Sequence, residues 1–409
     1  MDLLSMSKLE LLERCKSLGI INCKSKNKKQ LLELITSKMP IVKPVQPVPF
    51  QQEQQEQQEQ QEQQEQQEQQ EQQEHPVSSL NVIDLFCGCG GMSKGLTDAG
   101  LNIIAGIDVW DKAVVSYNKN FSHHQAYSED LTQLSSEKFE ELYNKDKKTV
   151  DVLVGGPPCQ SFSIAGRRDK DDPRNTLFME YVKYLDYFRP KAFIMENVIG
   201  LLSKKTASSE DTSGGEKVID IIMELLNREY NCIITKLYAS DFEVPQNRRR
   251  VIIIGIRKDL GIFPREPEPV IKSVEDRIPV RTVLLRKEDV DAKYYLSEKA
   301  LAGIENKRAV SKAKGFGFGA QMLDVDKPSY TIPARYWKDG YDALVKYNDK
   351  EIRRLTILEL KRIQSFPDNY IIEGSNKDVI IQIGNAVACK LAYHLGNYLI
   401  RTLIPKTNT

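Results

Sequence analysis

Cys159 is the residue of this sequence best placed for nucleophilic chemistry. It lies in GGPPCQSFSIAG, residues 155–166, directly after the apolar run Val150, Val152, Leu153 and Val154. That run is short, β-branched and holds one Asp, as expected of a buried parallel strand, and Pro157 and Pro158 forbid its continuation as strand or helix. The thiol is therefore carried on a rigid turn at the carboxyl edge of a sheet, where open α/β sheets place their ligands. A further buried strand, 192–195, delivers Glu196 and Asn197, and a βαβ crossover brings them to the same edge. A thiol beside a carboxyl permits covalent addition to a carbon centre with proton transfer close by. Taken alone, Cys159 also reads as a small buried hydrophobe in a loop.

The elements that must position these groups are legible as an α/β pattern. Residues 82–86 read as a strand that runs into a turn with Gly88, Gly90 and Gly91, before a helix over about 92–99. Such glycines let backbone amides approach a ligand at a helix N-terminus. A strand over 102–107 ends at Asp108, about 20 residues after the turn, where a carboxylate can accept both hydroxyls of a ribose. The pattern predicts an adenosine-containing cofactor. Strands over 231–237 and 251–256 bracket Gln246, Arg248 and Arg250, and Leu177, Phe178, Tyr181, Tyr184, Leu185 and Phe188 form a core-facing helical stripe. Thr356 and Glu359 have capping-box spacing. A last helix over about 385–403 places Val387, Leu391, His394 and Leu395 on one face, predicted to pack against the layer of the first strand.

With 409 residues, 40% hydrophobic and 28% charged, the chain suits two or three domains with a sizeable core. Its apolar runs are far shorter than the ~18 residues of a membrane span, and the first ten residues lack a signal-peptide pattern, so an intracellular, unsecreted protein is expected. Seven cysteines without metal-like pairing predict reduced thiols and no metal. The net charge of +1 hides a segregation: residues 1–50 carry +5, the eight QQE units of 51–74 carry −8, and the remainder carries +4. Leu9, Leu12 and Cys15, then Leu31, Leu34 and Ile35, mark two short helices separated by Gly19 and a basic tract, Lys24 to Lys29. The Pro-rich and QQE stretch beyond them offers no apolar face and reads as a spacer.

Six stretches, in order, resemble the motifs of the cytosine-5 DNA methyltransferases: DLFCGCGG from Asp84, PPCQSFS from Pro157, ENV from Glu196, QNRRR from Gln246, RRLTILELKRIQSFPDNY from Arg353 and QIGNAV from Gln382. The resemblance spans residues 82–400 and implies a Rossmann-like methyltransferase sheet with helices on both faces and a smaller target-recognition domain. Residues 1–40 resemble the SAP motif, a DNA-binding helical module, although an amphipathic helix pair with a solvated lysine face fits them too. The expected division is 1–40, a linker over 41–79, a catalytic domain over 80–258, a target-recognition domain over 259–350 that shows no long period, and a motif-bearing segment over 351–409.

The resemblance also assigns roles. Its cofactor is S-adenosylmethionine, with Phe86 stacking on the adenine, Asp108 on the ribose and Asp130 on the adenine amino group; Gly88, Gly90, Gly91, Pro158, Asn385 and Val387 complete that site. Taken without the resemblance, Asp130 reads rather as a helix-capping or surface carboxylate before Leu131 and Thr132. Cys159 adds to carbon 6 of cytosine, Arg248 and Arg250 lower its pKa, and Glu196 relieves charge at ring nitrogen 3. Gln160, Ser163, Asn197, Gln246, Arg335 and Lys338 are expected at the substrate, with Arg335, Tyr336, Trp337 and Lys338 on loops suited to DNA, or else forming an aromatic minicore. The substrate implied is a flipped-out cytosine in duplex DNA, met by a monomer. The core motifs alone fit a transfer RNA substrate as well. An inactive, DNA-binding methyltransferase-like protein is the other alternative, opposed by the intact Cys159, Glu196, Arg248 and Arg250.

Overall fold

The computed structural model describes residues 7–20, 23, 25–38, 80–158, 176–205, 217–313, 320–338 and 340–404. They fall into two compact units, Met1–His75 and Pro76–Thr409.

In the larger unit, mostly apolar runs become the strands of one sheet, the central ones buried on both faces. They are β1 Asn81–Leu85, β2 Asn102–Asp108, β3 Gln125–Ser128, β4 Val152–Gly155, β5 Ala192–Val198, β6 Tyr230–Tyr238 and β7 Arg249–Arg257. Their order is β3-β2-β1-β4-β5-β7-β6, with β7 antiparallel to both neighbours and every other pairing parallel. Because side chains alternate across a strand, successive residues go to opposite cores. Ile83, Leu85, Leu153, Phe193, Met195, Val251 and Ile253 pack on one face with the helix Thr176–Phe188. Val82, Val152, Val154, Ile194, Ile252 and Ile254 pack on the other with Met92, Leu96, Leu391 and Leu395. The expected stripe of the helix Thr176–Phe188 is buried at Phe178, Tyr181, Tyr184 and Leu185, while Leu177 turns to a cavity.

The C-terminal helix differs from its expected form. One helix, Asn376–Asn385, ends where the predicted one begins, residues 386–388 are extended, and a second helix runs Cys389–Leu403. The final carbonyls of a helix lack intrahelical partners. Here side chains from elsewhere take them: Arg248 Nη2 donates to Gly384 O at 2.9 Å, and Gln364 Nε2 donates to Ile383 O at 2.8 Å and Ala386 O at 3.2 Å. The capping box at Ser375 and Asp378 starts the first of these helices, a signal the sequence contained. The capping box at Thr356 and Glu359 forms as expected.

Residues 259–350 are not free of periodic structure, since they hold the helix Glu298–Ala313. Their core is shared with the segment after residue 350: Val280, Ile332, Tyr336 and Val345 pack with Leu360, Ile363, Val379 and Ile383. A short antiparallel pair, β8 Leu344–Lys346 and β9 Ile352–Arg354, joins the two segments. Among the described residues no helix is long and apolar enough to cross a membrane.

In the smaller unit, Lys8–Ser17 and Lys28–Lys38 are helices. Leu11, Cys15, Cys23, Leu31 and Ile35 form its core, whereas Leu9, expected on the apolar stripe, is 75% exposed. Most of the linker, residues 41–79, lies outside the described residues.

Candidate active site

The carboxyl ends of β1, β2, β4 and β5 open onto one cavity of about 950 Å³, whose far wall is the extended break at Asn385, Ala386 and Val387. Of the expected site residues, the catalytic Glu196, the cofactor residues Phe86, Gly88, Asp108, Asp130, Pro158, Asn385 and Val387, and the substrate residue Asn197 line it.

β1 leaves the sheet through Phe86, which adopts φ +60°. A bulky residue there is uncommon and costs about 1–3 kcal/mol, so it persists only where surrounding structure enforces it. The turn beyond is held by Asp108, whose Oδ2 accepts from Gly88 N and Oδ1 from Trp110 N, each at 2.9 Å. Burial raises the pKa of Asp108, and these amides oppose the rise. Gly90 and Gly91 do not line the cavity as expected; they permit close packing. A Cβ on Gly90 would lie 2.7 Å from Tyr370 Oη, and one on Gly91 would lie 2.3 Å from Val387 O. The glycines thus bring Val387 up to the turn. Asp130 lines the cavity and caps the following turn, accepting from Thr132 N at 2.9 Å and from Thr132 Oγ1 at 2.8 Å, so the capping role is present beside a place on the cavity wall.

Asp84, the first residue of the DLFCGCGG motif but given no role from the sequence, lines this cavity with Trp110 and Glu129, which lie outside the six motifs. Asp84 is buried, accepts from Ser93 Oγ at 2.6 Å, and has its pKa pushed up to about 7, first by burial. Its signal was an acid inside an otherwise apolar strand. Trp110, two residues past Asp108, is signalled only by its place just beyond a strand end.

At the other end of the cavity, Glu196 Oε1 lies 2.6 Å from Arg250 Nε, with both side chains only 12–13% exposed. β5 and β7 are antiparallel with Glu196 opposite Ile252, so Arg250 is the diagonal neighbour on the same face. Asn197, expected at the substrate, donates from Nδ2 to Pro157 O at 2.9 Å and accepts from Val198 N through Oδ1. It ties the end of β5 to the Pro157–Pro158 turn. Cys159, Gln160 and Ser163 lie outside the described residues.

Two expected site residues are in different surroundings. Arg248 does not line the cavity; it is 2% exposed, and its guanidinium donates to the carbonyls of Ile332 and Gly384. Burial pulls its pKa down to about 9. Gln246 is fully buried, bonded to Ile332 N and Gln364 Oε1. Both join elements rather than face a substrate. Residues 334–337 form a 3₁₀ turn rather than a loop, in which Tyr336 is core and Trp337 is exposed. Arg335 is exposed and paired with Asp342 at 2.6 Å, and Lys338 Nζ lies 6.0 Å from the Trp337 ring.

A family model described as C-5 cytosine-specific DNA methylase matches residues 80–401, which include every lining residue of the cavity. The chain belongs to that family. This methyltransferase is 32% identical over 326 residues to the type II methyltransferase M1.ScrFI of Lactococcus lactis subsp. cremoris, covering 79% of this chain and 78% of the relative. It is 32% identical over 380 residues to M.DdeI of Desulfomicrobium norvegicum, covering 77% and 87% respectively. The crystal structure of the Dnmt2 methyltransferase of S. pombe shares its fold, with a TM-score of 0.61 at 22% identity over 78% of this chain and 98% of that one. The methyltransferase transfers methyl groups to carbon 5 of cytosine in DNA.

Proposed function

We propose that this methyltransferase acts on a flipped-out cytosine of duplex DNA through a covalent intermediate on Cys159, as the modifying enzyme of a restriction-modification pair. The type II relatives support that setting. The observation that carries the mechanism is the pairing of Arg250 with Glu196, which lines the cavity together with the Pro157–Pro158 turn that leads into Cys159.

The cavity suits S-adenosylmethionine on its own features. Phe86 and Trp110 supply aromatic faces, Asp108, Glu129 and Asp130 supply acceptors for hydroxyl, amino and cationic groups, and Asn385 adds a neutral polar group. When bound, the cofactor supplies an electrophilic methyl group. The protein must make the cytosine ring nucleophilic, because its carbon 5 is not so by itself. Addition of the Cys159 thiolate at carbon 6 does this, and negative charge then develops towards ring nitrogen 3. The Glu196 carboxyl relieves that charge by sharing a proton with the nitrogen as it develops, while Arg250 fixes the orientation of the carboxyl and adds positive field. Removal of the carbon 5 proton then expels the thiolate. A stacked base cannot reach this pocket, so the base must leave the helix.

Cys159→Ser tests the reading. It should abolish methyl transfer and leave S-adenosylhomocysteine binding within about twofold, since a hydroxyl is a far weaker nucleophile near pH 7. Wild-type turnover by the variant would contradict the covalent route.

The smaller unit carries the second reading. Its helices form a packed pair in a segment of charge +5, which suits a DNA tether acting through local concentration. Deletion of residues 1–74 should leave the maximal rate unchanged, raise KM for long DNA and flatten its salt dependence. Identical salt curves for truncated and full-length enzyme would remove the tether.

A further inference from the structure

Behind the cavity wall, Gln246, Arg248 and Gln364 form a buried polar knot, each at most 2% exposed. Ile332 is gripped at both backbone groups: its N–H donates to Gln246 Oε1 at 2.9 Å, and its carbonyl accepts from Arg248 Nη1 at 3.3 Å. The second arm of the Arg248 fork holds Gly384 O at 2.9 Å. Gln364, bonded to Gln246 at 2.9 Å, holds the carbonyls of Ile383 and Ala386 on either side. Gly384 also packs directly on the other segment, where a Cβ would fall 2.4 Å from Ala334 N.

The two segments so joined face different ligands. Asn385, Ala386 and Val387 form the cofactor-side wall of the cavity, next to Gly384. Ile332 leads into the turn of Arg335, Trp337 and Lys338, the basic and aromatic residues that the sequence reading expects at the DNA. Among the described residues Arg248 forms no ion pair and its Nε has no hydrogen-bond partner, so its guanidinium is held by the carbonyls of Ile332 and Gly384, with Glu196 acting on it only through its longer-range field. Apolar side chains would join two segments at lower cost, whereas a charged fork accepts few alternative registers.

We propose that Arg248 is a positioning residue that couples cofactor binding to DNA binding. Ordering of residues 385–387 around the cofactor fixes Gly384, and the Arg248 fork passes that register to Ile332 and the DNA-facing turn. The coupling is reciprocal by linkage, so each ligand tightens the other by the same factor. This inference rests on placing S-adenosylmethionine in the cavity and DNA at residues 335–338.

The test uses full-length wild-type enzyme and Arg248→Lys, which replaces the two-armed fork by a single amine. The probes are S-adenosylhomocysteine and a duplex carrying a site mapped by bisulfite sequencing of plasmid from expressing cells. Duplex Kd is measured without and with saturating S-adenosylhomocysteine. The ratio should be about fivefold or more in the wild type. In Arg248→Lys it should fall below about twofold, with the affinity for S-adenosylhomocysteine alone within about threefold of wild type. A wild-type ratio of one, or an unchanged ratio in a variant whose separate affinities both fall, overturns the coupling. If Arg248→Lys does not fold, Gln364→Met, which releases Ile383 and Ala386 but spares both grips on Ile332, is read by the same ratio. Failure of the function reading shows separately, as plasmid without 5-methylcytosine or as wild-type enzyme that does not bind S-adenosylhomocysteine.

Discussion

Two arginine–glutamate pairs stand in this methyltransferase at nearly equal distances, Glu196–Arg250 at 2.6 Å and Glu359–Arg353 at 2.8 Å. Their surroundings separate them. Glu359 and Arg353 are fully buried, and the four bonds at Glu359 fill its oxygens: two from Arg353, one from Leu285 N and one from Thr356 N. Such a carboxylate has no capacity left for a ligand and serves as a joint between β9, the helix Ile357–Ile363 and the chain near Leu285. Glu196 sits on the wall of a cavity and keeps part of its surface open to it. On the proposed mechanism the same ion pair is architecture in one place and chemistry in the other, and what differs is how many of the carboxylate's bonds are already taken.

Paired substitutions break that comparison most sharply. Glu196→Gln should lower kcat by about 10²- to 10⁴-fold, the range expected for loss of an acid–base group, with denaturant stability within about 1 kcal/mol of wild type. Glu359→Gln should do the reverse, costing about 3–5 kcal/mol of stability because Arg353 is left as an uncompensated buried charge. Its kcat on saturating DNA should stay within about tenfold at temperatures where it is folded. Equal stability losses in the two variants would erase the distinction.

A smaller effect sharpens it with a third carboxyl. Asp84 is buried without a cationic partner among the described residues, and its pKa is raised to about 7. The folded protein therefore holds a proton that the unfolded chain releases near pH 4. That contribution to stability is complete below about pH 4 and is lost as pH rises through about 7. The stability difference between wild type and Asp84→Asn, followed by denaturant titration from pH 4 to 8, should fall over that window. A difference independent of pH would mean that Asp84 is ionised throughout.

How much of this was legible in the sequence depended on the range of the forces. β4 and β5 were readable because each begins with an unbroken apolar run, and the placement of Glu196 and Asn197 at the edge came from the crossover. The break at 386–388 was not, because the residues that hold its carbonyls are 136 positions away at Arg248 and 22 at Gln364. The arginines of QNRRR look alike in sequence, yet Arg250 reaches a carboxylate at the cavity and Arg248 reaches two backbone carbonyls behind it. Register on β7 and the return of the C-terminal helices decide which is which, and neither is a local property. Gly90 and Gly91 were legible as necessary but not as to cause, since the groups that would clash with a side chain, Tyr370 and Val387, come from the far end of the chain.

On the proposed mechanism Cys159 adds covalently to the cytosine ring. Incubation of wild-type enzyme with S-adenosylmethionine and a duplex in which 5-fluorocytosine replaces the target base tests it directly, because carbon 5 then has no proton to lose and the adduct cannot resolve. Mass spectrometry of the digested complex should find the modified nucleotide, methyl group included, on the peptide containing Cys159. Absence of any adduct under conditions in which the ordinary duplex is fully methylated, or an adduct on another residue, would contradict the mechanism.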